Sequence, residues 1–248
     1  MQNRKEIKTL GILGGLGPMA SVYFYELITE HTNADCDQDH LDIVISSRAS
    51  TPDRTAFILG TSDENPLDAM RCDAEKLVSF GAELISIPCN TAHYFYDALA
   101  SSLGVPIVNI IYETVAFIVR TGAQKIGVLA TEGTVRSGSY EHMCRQMGLG
   151  YEVPDEEHQK MLSEIIYGSI KKGKRADMKK FGEICDSLRA KGCEKLVLGC
   201  TELSLIKRDE GLGDEYVDSL EVLAMRTIRK CGKEPIGFSD ALMSDTAE

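Results

Sequence analysis

Short apolar runs alternate with segments of helical period along most of the chain. Thr9 to Leu13, Leu41 to Ser46, Leu84 to Ile87, Ile107 to Ile110, Lys125 to Ala130 and Lys195 to Leu198 predict strands. The first, TLGILGG, and the fifth, KIGVLAT, run into small residues without polar alternation, as strands covered on both faces do. Between the strands, Met19 to His31, Pro66 to Phe80, Gly138 to Met147 and Lys174 to Lys191 carry the helical period. Strands separated by helices predict a parallel α/β architecture, in which binding sites lie beyond the carboxyl ends of the strands. The tail from Met243 to Glu248 is small and polar and predicts a fraying end.

The pattern also repeats. LVSFGAELISIPCNT (Leu77 to Thr91) aligns without gaps on LRAKGCEKLVLGCTE (Leu188 to Glu202). Leu77/Leu188, Gly81/Gly192, Glu83/Glu194 and Cys89/Cys200 are identities 111 positions apart. TLGILGG matches KIGVLAT at a spacing of 116. This predicts two similar α/β lobes, each a mainly parallel sheet flanked by helices, related by a pseudo-twofold axis around a central cleft. Residues 1–113 plus a returning segment, 216–248, are expected to form the first lobe, with Cys89. Residues 114–215 are expected to form the second, with Cys200.

Composition narrows the function classes. Hydrophobic residues make up 43% and charged residues 26%, the balance of an ordinary globular protein. A net charge of −11 argues against nucleic acid or an anionic membrane as partner, since both call for a positive field. If the substrate is itself an anion, the cations that hold it must be local. No apolar run approaches the roughly 20 residues of a membrane span. Met1 to Glu6 leads into a strand-like segment and not into a signal-peptide core, so a cytoplasmic location is expected. Eight cysteines in that compartment are expected to be free thiols, and no close CxxC pairing predicts a metal site.

Two of the cysteines stand apart. Cys89-Asn90-Thr91 and Cys200-Thr201-Glu202 each follow an apolar strand and open a polar, helix-starting segment. A thiol there is expected near backbone N–H groups and the positive end of a helix dipole, which favour the thiolate. An ordinary thiol titrates at about 8.5, so a modest depression makes a usable base whose conjugate acid can still return a proton. Two such groups suit racemisation, where one removes an α-proton and the other protonates the opposite face. A nucleophilic cysteine enzyme would instead pair one thiol with a histidine. His93 is the histidine close in sequence to either thiol, as such a partner or as a structural hydrogen-bonding residue.

GILGGLGPMAS, TPDRTAFILG, PCNTAH, GVLATEGTVRSGSYE, IIYGSIKKG and GCTEL together resemble the aspartate/glutamate racemase superfamily, and within it the aspartate racemase branch. The resemblance runs from about Thr9 to Ala224. It implies an isomerase without pyridoxal phosphate or other cofactor, two catalytic thiols, a small acidic amino acid as substrate, and a homodimer. Carried over by motif, Cys89 and Cys200 are catalytic, and Arg54 and Lys171 hold the side-chain carboxylate. Asn90, Thr91, Thr131 and Thr201 surround the α-carboxylate and ammonium. The chain departs from the branch before PDRT, where Ser46-Ser47-Arg48-Ala49-Ser50-Thr51 replaces an Asn-Pro-type segment. Arg48 either reads the distal carboxylate, shifting preference between aspartate and glutamate, or pairs with a neighbouring acid.

Two other readings compete. GLGPMA (Gly15 to Ala20) formally meets the dinucleotide-binding fingerprint of an NAD-dependent dehydrogenase. Against it, the next strand ends in serines, and Pro18 removes a backbone donor from the loop. The glycines are expected instead to let backbone approach a small substrate. A non-enzymatic amino-acid sensor on the same scaffold would be marked by loss of one thiol, and both are present.

Overall fold

A computed structural model describes residues 7–246. Met1 to Glu6, on which the reading of the N-terminus rests, lies outside them. The first half runs β1 (Leu10–Gly14), α1 (Pro18–Glu30), β2 (Ile43–Ser47), α2 (Arg54–Ile58), α3 (Leu67–Ser79), β3 (Leu84–Ser86), α4 (Tyr96–Ala100), β4 (Ile107–Val108) and α5 (Ile110–Arg120). The second runs β5 (Lys125–Leu129), α6 (Glu132–Arg136), α7 (Ser139–Gln146), β6 (Gly150–Glu152), α8 (Glu156–Ser163), α9 (Met178–Ala190), β7 (Lys195–Leu198), α10 (Leu203–Glu210), β8 (Tyr216–Asp218), α11 (Ser219–Lys230) and α12 (Asp240–Met243).

The strands form two sheets of identical topology, β2-β1-β3-β4 and β6-β5-β7-β8, and every pairing is parallel. The repeat identities explain why the halves fold alike. Leu77 of α3 packs on Gly11 of β1, where a Cβ would stand 3.3 Å from the Leu77 Cβ and 2.8 Å from that of Ala82. Leu188 of α9 packs in the same way on Gly127 of β5, with a Cβ only 3.0 Å from its own. Gly81 and Gly192 follow those helices at φ +98° and +83°, a left-handed conformation that glycine adopts without a Cβ clash. Glu83 and Glu194 then each accept a hydrogen bond from the residue just before the central strand, Thr9 N–H and Gln124 N–H, both at 3.0 Å.

Several boundaries differ from the sequence expectation. The expected strand Ile107 to Ile110 stops at Val108, because Asn109 caps α5 by accepting from the N–H groups of Ile111 and Tyr112. The helix expected from Lys174 begins at Met178, where Asp177 caps it. The division at 215/216 cuts the second sheet: Tyr216–Asp218 pairs with β7, so the chain returns to the first sheet only with α11. There α11 packs on α1 and α5 as well as on β3 and β4. One hydrophobic cluster accordingly runs through both halves, and a smaller one fills the α3 face of the first sheet.

Of the tail expected to fray, Met243 to Asp245 is docked, and Ala247 and Glu248 lie outside the described residues. Met243 ends α12 and packs on the core, and Asp245 is buried, bonded to both Arg120 (Nε 2.8 Å, Nη2 2.7 Å) and Arg226 (Nη2 2.5 Å). Its backbone carbonyl accepts from Arg229.

Candidate active site

β3 and β7 are the corresponding strands of the two sheets, and each leads within three residues to a cysteine. Cys89 and Cys200 line one shared cavity, joined there by Leu16, Asp53, Arg54, Thr55, Asn90, Thr91, Thr131, Tyr167, Lys171, Thr201 and Glu202. Both thiols are almost enclosed, at 6% and 5% exposure. The space left between the side chains is about 10 Å³, room for about one water molecule and far too little for an amino acid. This is a closed arrangement.

The contacts that close it are specific. Tyr167 lies on a π-helical turn, Glu164–Ser169, and its hydroxyl donates to Thr55 Oγ1 at 2.9 Å, across to α2. Thr91 Oγ1 meets Thr131 Oγ1 and Thr134 Oγ1, both at 2.9 Å, and those two are 3.0 Å apart. Thr201 Oγ1 donates to the Pro88 carbonyl at 3.1 Å. Asn90 joins the halves as well: its Nδ2 donates to Ser219 Oγ at 2.9 Å and its Oδ1 accepts from Tyr140 at 2.7 Å. Outside the cavity, a basin of about 800 Å³ lined by Gln159, Ser163, Tyr167 and Lys172 shares Tyr167 with it.

Arg54 is the first residue of α2, whose N-terminus Asp53 caps by accepting from Ala56 N–H at 2.7 Å. Its guanidinium is held by carbonyls of Thr51 (3.2 Å), Pro52 (3.0 Å) and Leu16 (2.8 Å). It makes no ion pair among the described residues, and its buried Nε has no hydrogen-bond partner among them. A guanidinium 9% exposed and without a carboxylate is a charge that favours an anion in the cavity.

Lys171 follows the π-helical turn and is paired with Glu202 Oε1, with its Nζ 5.7 Å from the centre of the Tyr167 ring. Burial works against its charge, but Glu202, Cys200 and Cys89 outweigh that and hold its pKa above the ordinary lysine range. Arg48 is not brought to the cavity. Its Nε and Nη2 form a two-pronged pair with Asp73 at 2.5 and 2.6 Å, so pairing with a neighbouring acid is the alternative its geometry supports.

The surroundings of Cys200 differ from the helix-dipole expectation. Burial pushes the Cys200 thiol well above its usual value; the Glu202 charge adds to this and Lys171 opposes it. His93 is structural. Its Nδ1 donates to the Cys89 carbonyl at 2.9 Å and its Nε2 accepts from Ile110 N–H at 3.2 Å, which fixes the tautomer. Burial holds its pKa below the usual imidazole value. The glycine loop serves packing between protein groups: a Cβ on Gly15 would strike the Arg48 backbone, and one on Gly17 would overlap the Glu202 carboxylate. The close approach expected for a substrate is taken up by these groups. Among the described residues no group of three or more His, Cys, Asp or Glu could hold a metal ion, and no helix is long and apolar enough to cross a membrane.

Sequence reasoning missed Glu202, Tyr167 and Thr134. Glu202 stands in GCTEL two residues after a recognised thiol, and that adjacency was the available signal. Tyr167 stands in IIYGSIKKG and Thr134 in GVLATEGTVRSGSYE, so both lay within recognised motifs, but their partners Thr55 and Thr91 come from distant segments.

Known proteins place this arrangement. A broad specificity amino-acid racemase, RacX, from Bacillus subtilis (strain 168) is 26% identical over 227 residues, covering 88% of this chain and 96% of its own length. A glutamate racemase from Persephonella marina is 31% identical over 138 residues, 54% of this chain and 51% of its own. The structure of Picrophilus torridus aspartate racemase superposes with a TM-score of 0.78 at 29% identity, covering 92% of this chain and 96% of that one. The family described as Asp/Glu/Hydantoin racemase matches residues 13–227. With that match over most of its length and two cysteines facing one cavity, the chain belongs to the Asp/Glu/Hydantoin racemase family and is an amino-acid racemase, an isomerase.

Proposed function

We propose that the protein interconverts the L- and D-forms of an acidic amino acid, aspartate before glutamate, by proton transfer between Cys89 and Cys200, without metal or pyridoxal phosphate. The observation that carries this reading is that both buried thiols open onto one cavity that also holds the unpaired Arg54 guanidinium. A thiolate on one side removes the α-proton, leaving a planar carbanion. The thiol on the other side delivers its proton to the opposite face, so the protein's protons are redistributed and none is lost.

Arg54 supplies the planar fork for the distal carboxylate, and its bonds to three carbonyls hold that fork still before substrate arrives. The hydroxyls of Thr91, Thr131, Thr134 and Thr201 are the small polar groups available to the α-carboxylate and ammonium. They now bond to one another or to backbone, and exchange those partners for substrate. Asn90 contributes mainly by holding the Cys89 loop against Ser219 and Tyr140. Lys171 adds positive charge beside Glu202. A cytoplasmic homodimer is the expected setting. Because the Bacillus subtilis relative is named for broad specificity, breadth is the quantity to measure first.

The test is α-proton exchange in deuterated water across a panel of L- and D-amino acids, with chelator present and no added cofactor. Exchange and racemisation of aspartate or glutamate ahead of alanine are expected. Equal rates on alanine and aspartate would remove the acidic-substrate part, and activity restored only by an added metal or cofactor would remove the two-thiol part.

A further inference from the structure

Glu202 sits in an unusual place for a carboxylate. It is 4% exposed, and among the described residues neither oxygen accepts from a backbone N–H. Oε2 accepts from Cys200 Sγ at 3.0 Å, and Oε1 is paired with Lys171. Gly17 makes room for it, since any side chain there would overlap Oε1. Three separated segments therefore converge to hold one carboxylate against one of the two thiols. Cys89 has no such neighbour: among the described residues its Sγ makes no hydrogen bond, and the nearby His93 is turned to the Cys89 carbonyl.

We propose that Glu202 is a positioning residue that keeps the resting proton on Cys200 and aims that thiol, so that Cys200 begins as the acid and Cys89 as the base. The inference rests on the two-thiol reading above and adds to it a direction. An Sγ–H that donates to a carboxylate is stabilised as the thiol. The same carboxylate repels the thiolate that would replace it, so ionisation of Cys200 is opposed twice. Lys171 tempers this without removing it, because its ammonium is bound to the Glu202 oxygen. The other charged or titratable groups facing Cys200 are Tyr167 from the π-helical turn, Asp53 and Arg54 from the start of α2, and Cys89. Among the described residues none of these hydrogen-bonds its sulfur, whereas Glu202 does. A resting enzyme with its proton on Cys200 abstracts with Cys89, and therefore engages first the enantiomer whose α-proton faces Cys89.

The experiment reads each thiol separately. The full chain is treated with iodoacetamide at a series of pH values, and alkylation at Cys89 and Cys200 is followed by peptide mass spectrometry. The midpoint of each rate curve reports ionisation and the plateau reports access; because burial also raises a midpoint, the part due to Glu202 is read from the variant. In the unaltered protein the Cys200 midpoint should lie above that of Cys89. Glu202→Gln keeps shape but removes the charge, and should raise the Cys200 rate at pH 7 by about tenfold or more while moving Cys89 by less than about twofold. Coincident midpoints in the unaltered protein would overturn the proposal without any variant, as would an unmoved Cys200 curve in folded Glu202→Gln. Alkylation requires no turnover, so failure here leaves the racemase reading intact, and absence of α-proton exchange leaves this one intact.

Discussion

The ends of β3 and β7 are the same place in two copies of one topology, yet they treat their cysteines differently. After β3, the Cys89 carbonyl is anchored by a neutral histidine and the sulfur is left without a hydrogen bond among the described residues. After β7, the Cys200 carbonyl accepts instead from the Leu203 N–H at 2.8 Å, and the sulfur itself is held by a carboxylate. The last strands repeat the contrast. Asn109 caps the helix after β4, and Asp218 caps the helix after β8, one neutral and the other acidic. Duplication fixes where a side chain stands; its charge state is then set by a few neighbours that the two copies do not share.

The strongest way to break this comparison is to remove either thiol. Cys89→Ser and Cys200→Ser should each lower racemisation by about 10²–10⁴-fold, the usual worth of a general acid or base, with far-ultraviolet circular dichroism unchanged. If only one substitution mattered, the two ends would not be partners. Arg54→Ala comes next. Truncating one side of a desolvated charge pair costs about 2–5 kcal/mol, so aspartate turnover should fall by roughly 30- to several-thousand-fold. A neutral amino acid should lose far less, and steady-state assays on both substrates decide it.

Asp218→Asn makes the second cap resemble the first. Burial, with Glu221 adding and Lys207 opposing, raises Asp218 from 3.8 to about 7. The folded protein thus retains a proton that the unfolded chain has lost between those values. Stability from this group is full below about pH 4, falls as pH rises towards 7, and is flat above. Urea unfolding of the unaltered protein, set against Asp218→Asn, should diverge by on the order of 2–3 kcal/mol between pH 5 and pH 8. A constant difference across that window would rule this account out.

Two smaller effects sharpen the geometry. Tyr167→Phe removes the hydrogen bond to Thr55 that helps close the cavity. One such bond is worth about 0.5–1.5 kcal/mol, so KM should change by a few-fold, with less effect on proton exchange in bound substrate. Arg48→Ala should alter the aspartate-to-glutamate ratio by less than about threefold, since Arg48 faces Asp73 and not the cavity. A larger change would return Arg48 to the list of residues that read the substrate.

What could be read from the chain follows from how local each signal is. Leu77, Gly81 and Glu83 fall in one contiguous stretch and Gly11 in another, and each stretch has a counterpart in the second half, so the repeat was legible although the contacts join separate segments. The two cysteines and Arg54 were legible because their motifs are contiguous. β6 was not, because Gly150-Tyr151-Glu152 is a three-residue, half-buried edge without an apolar run. β8 was hidden behind the polar stretch Asp214-Glu215, which gave the boundary at 215/216 its false appeal. Glu202 escaped for a different reason. Its role depends on Gly17 and Lys171, which are separated from it along the chain and meet it only after both halves are assembled.

The docked tail has a practical bearing on how the protein is handled. Asp245 reaches α5 through Arg120 and α11 through Arg226, and these two helices bridge the sheets. Trimming the chain before Asp245 would take a carboxylate away from guanidiniums that its presence lets lie close together. Recombinant forms shortened there should melt earlier and be digested faster, whereas purification handles belong after Thr246, where they leave this latch in place.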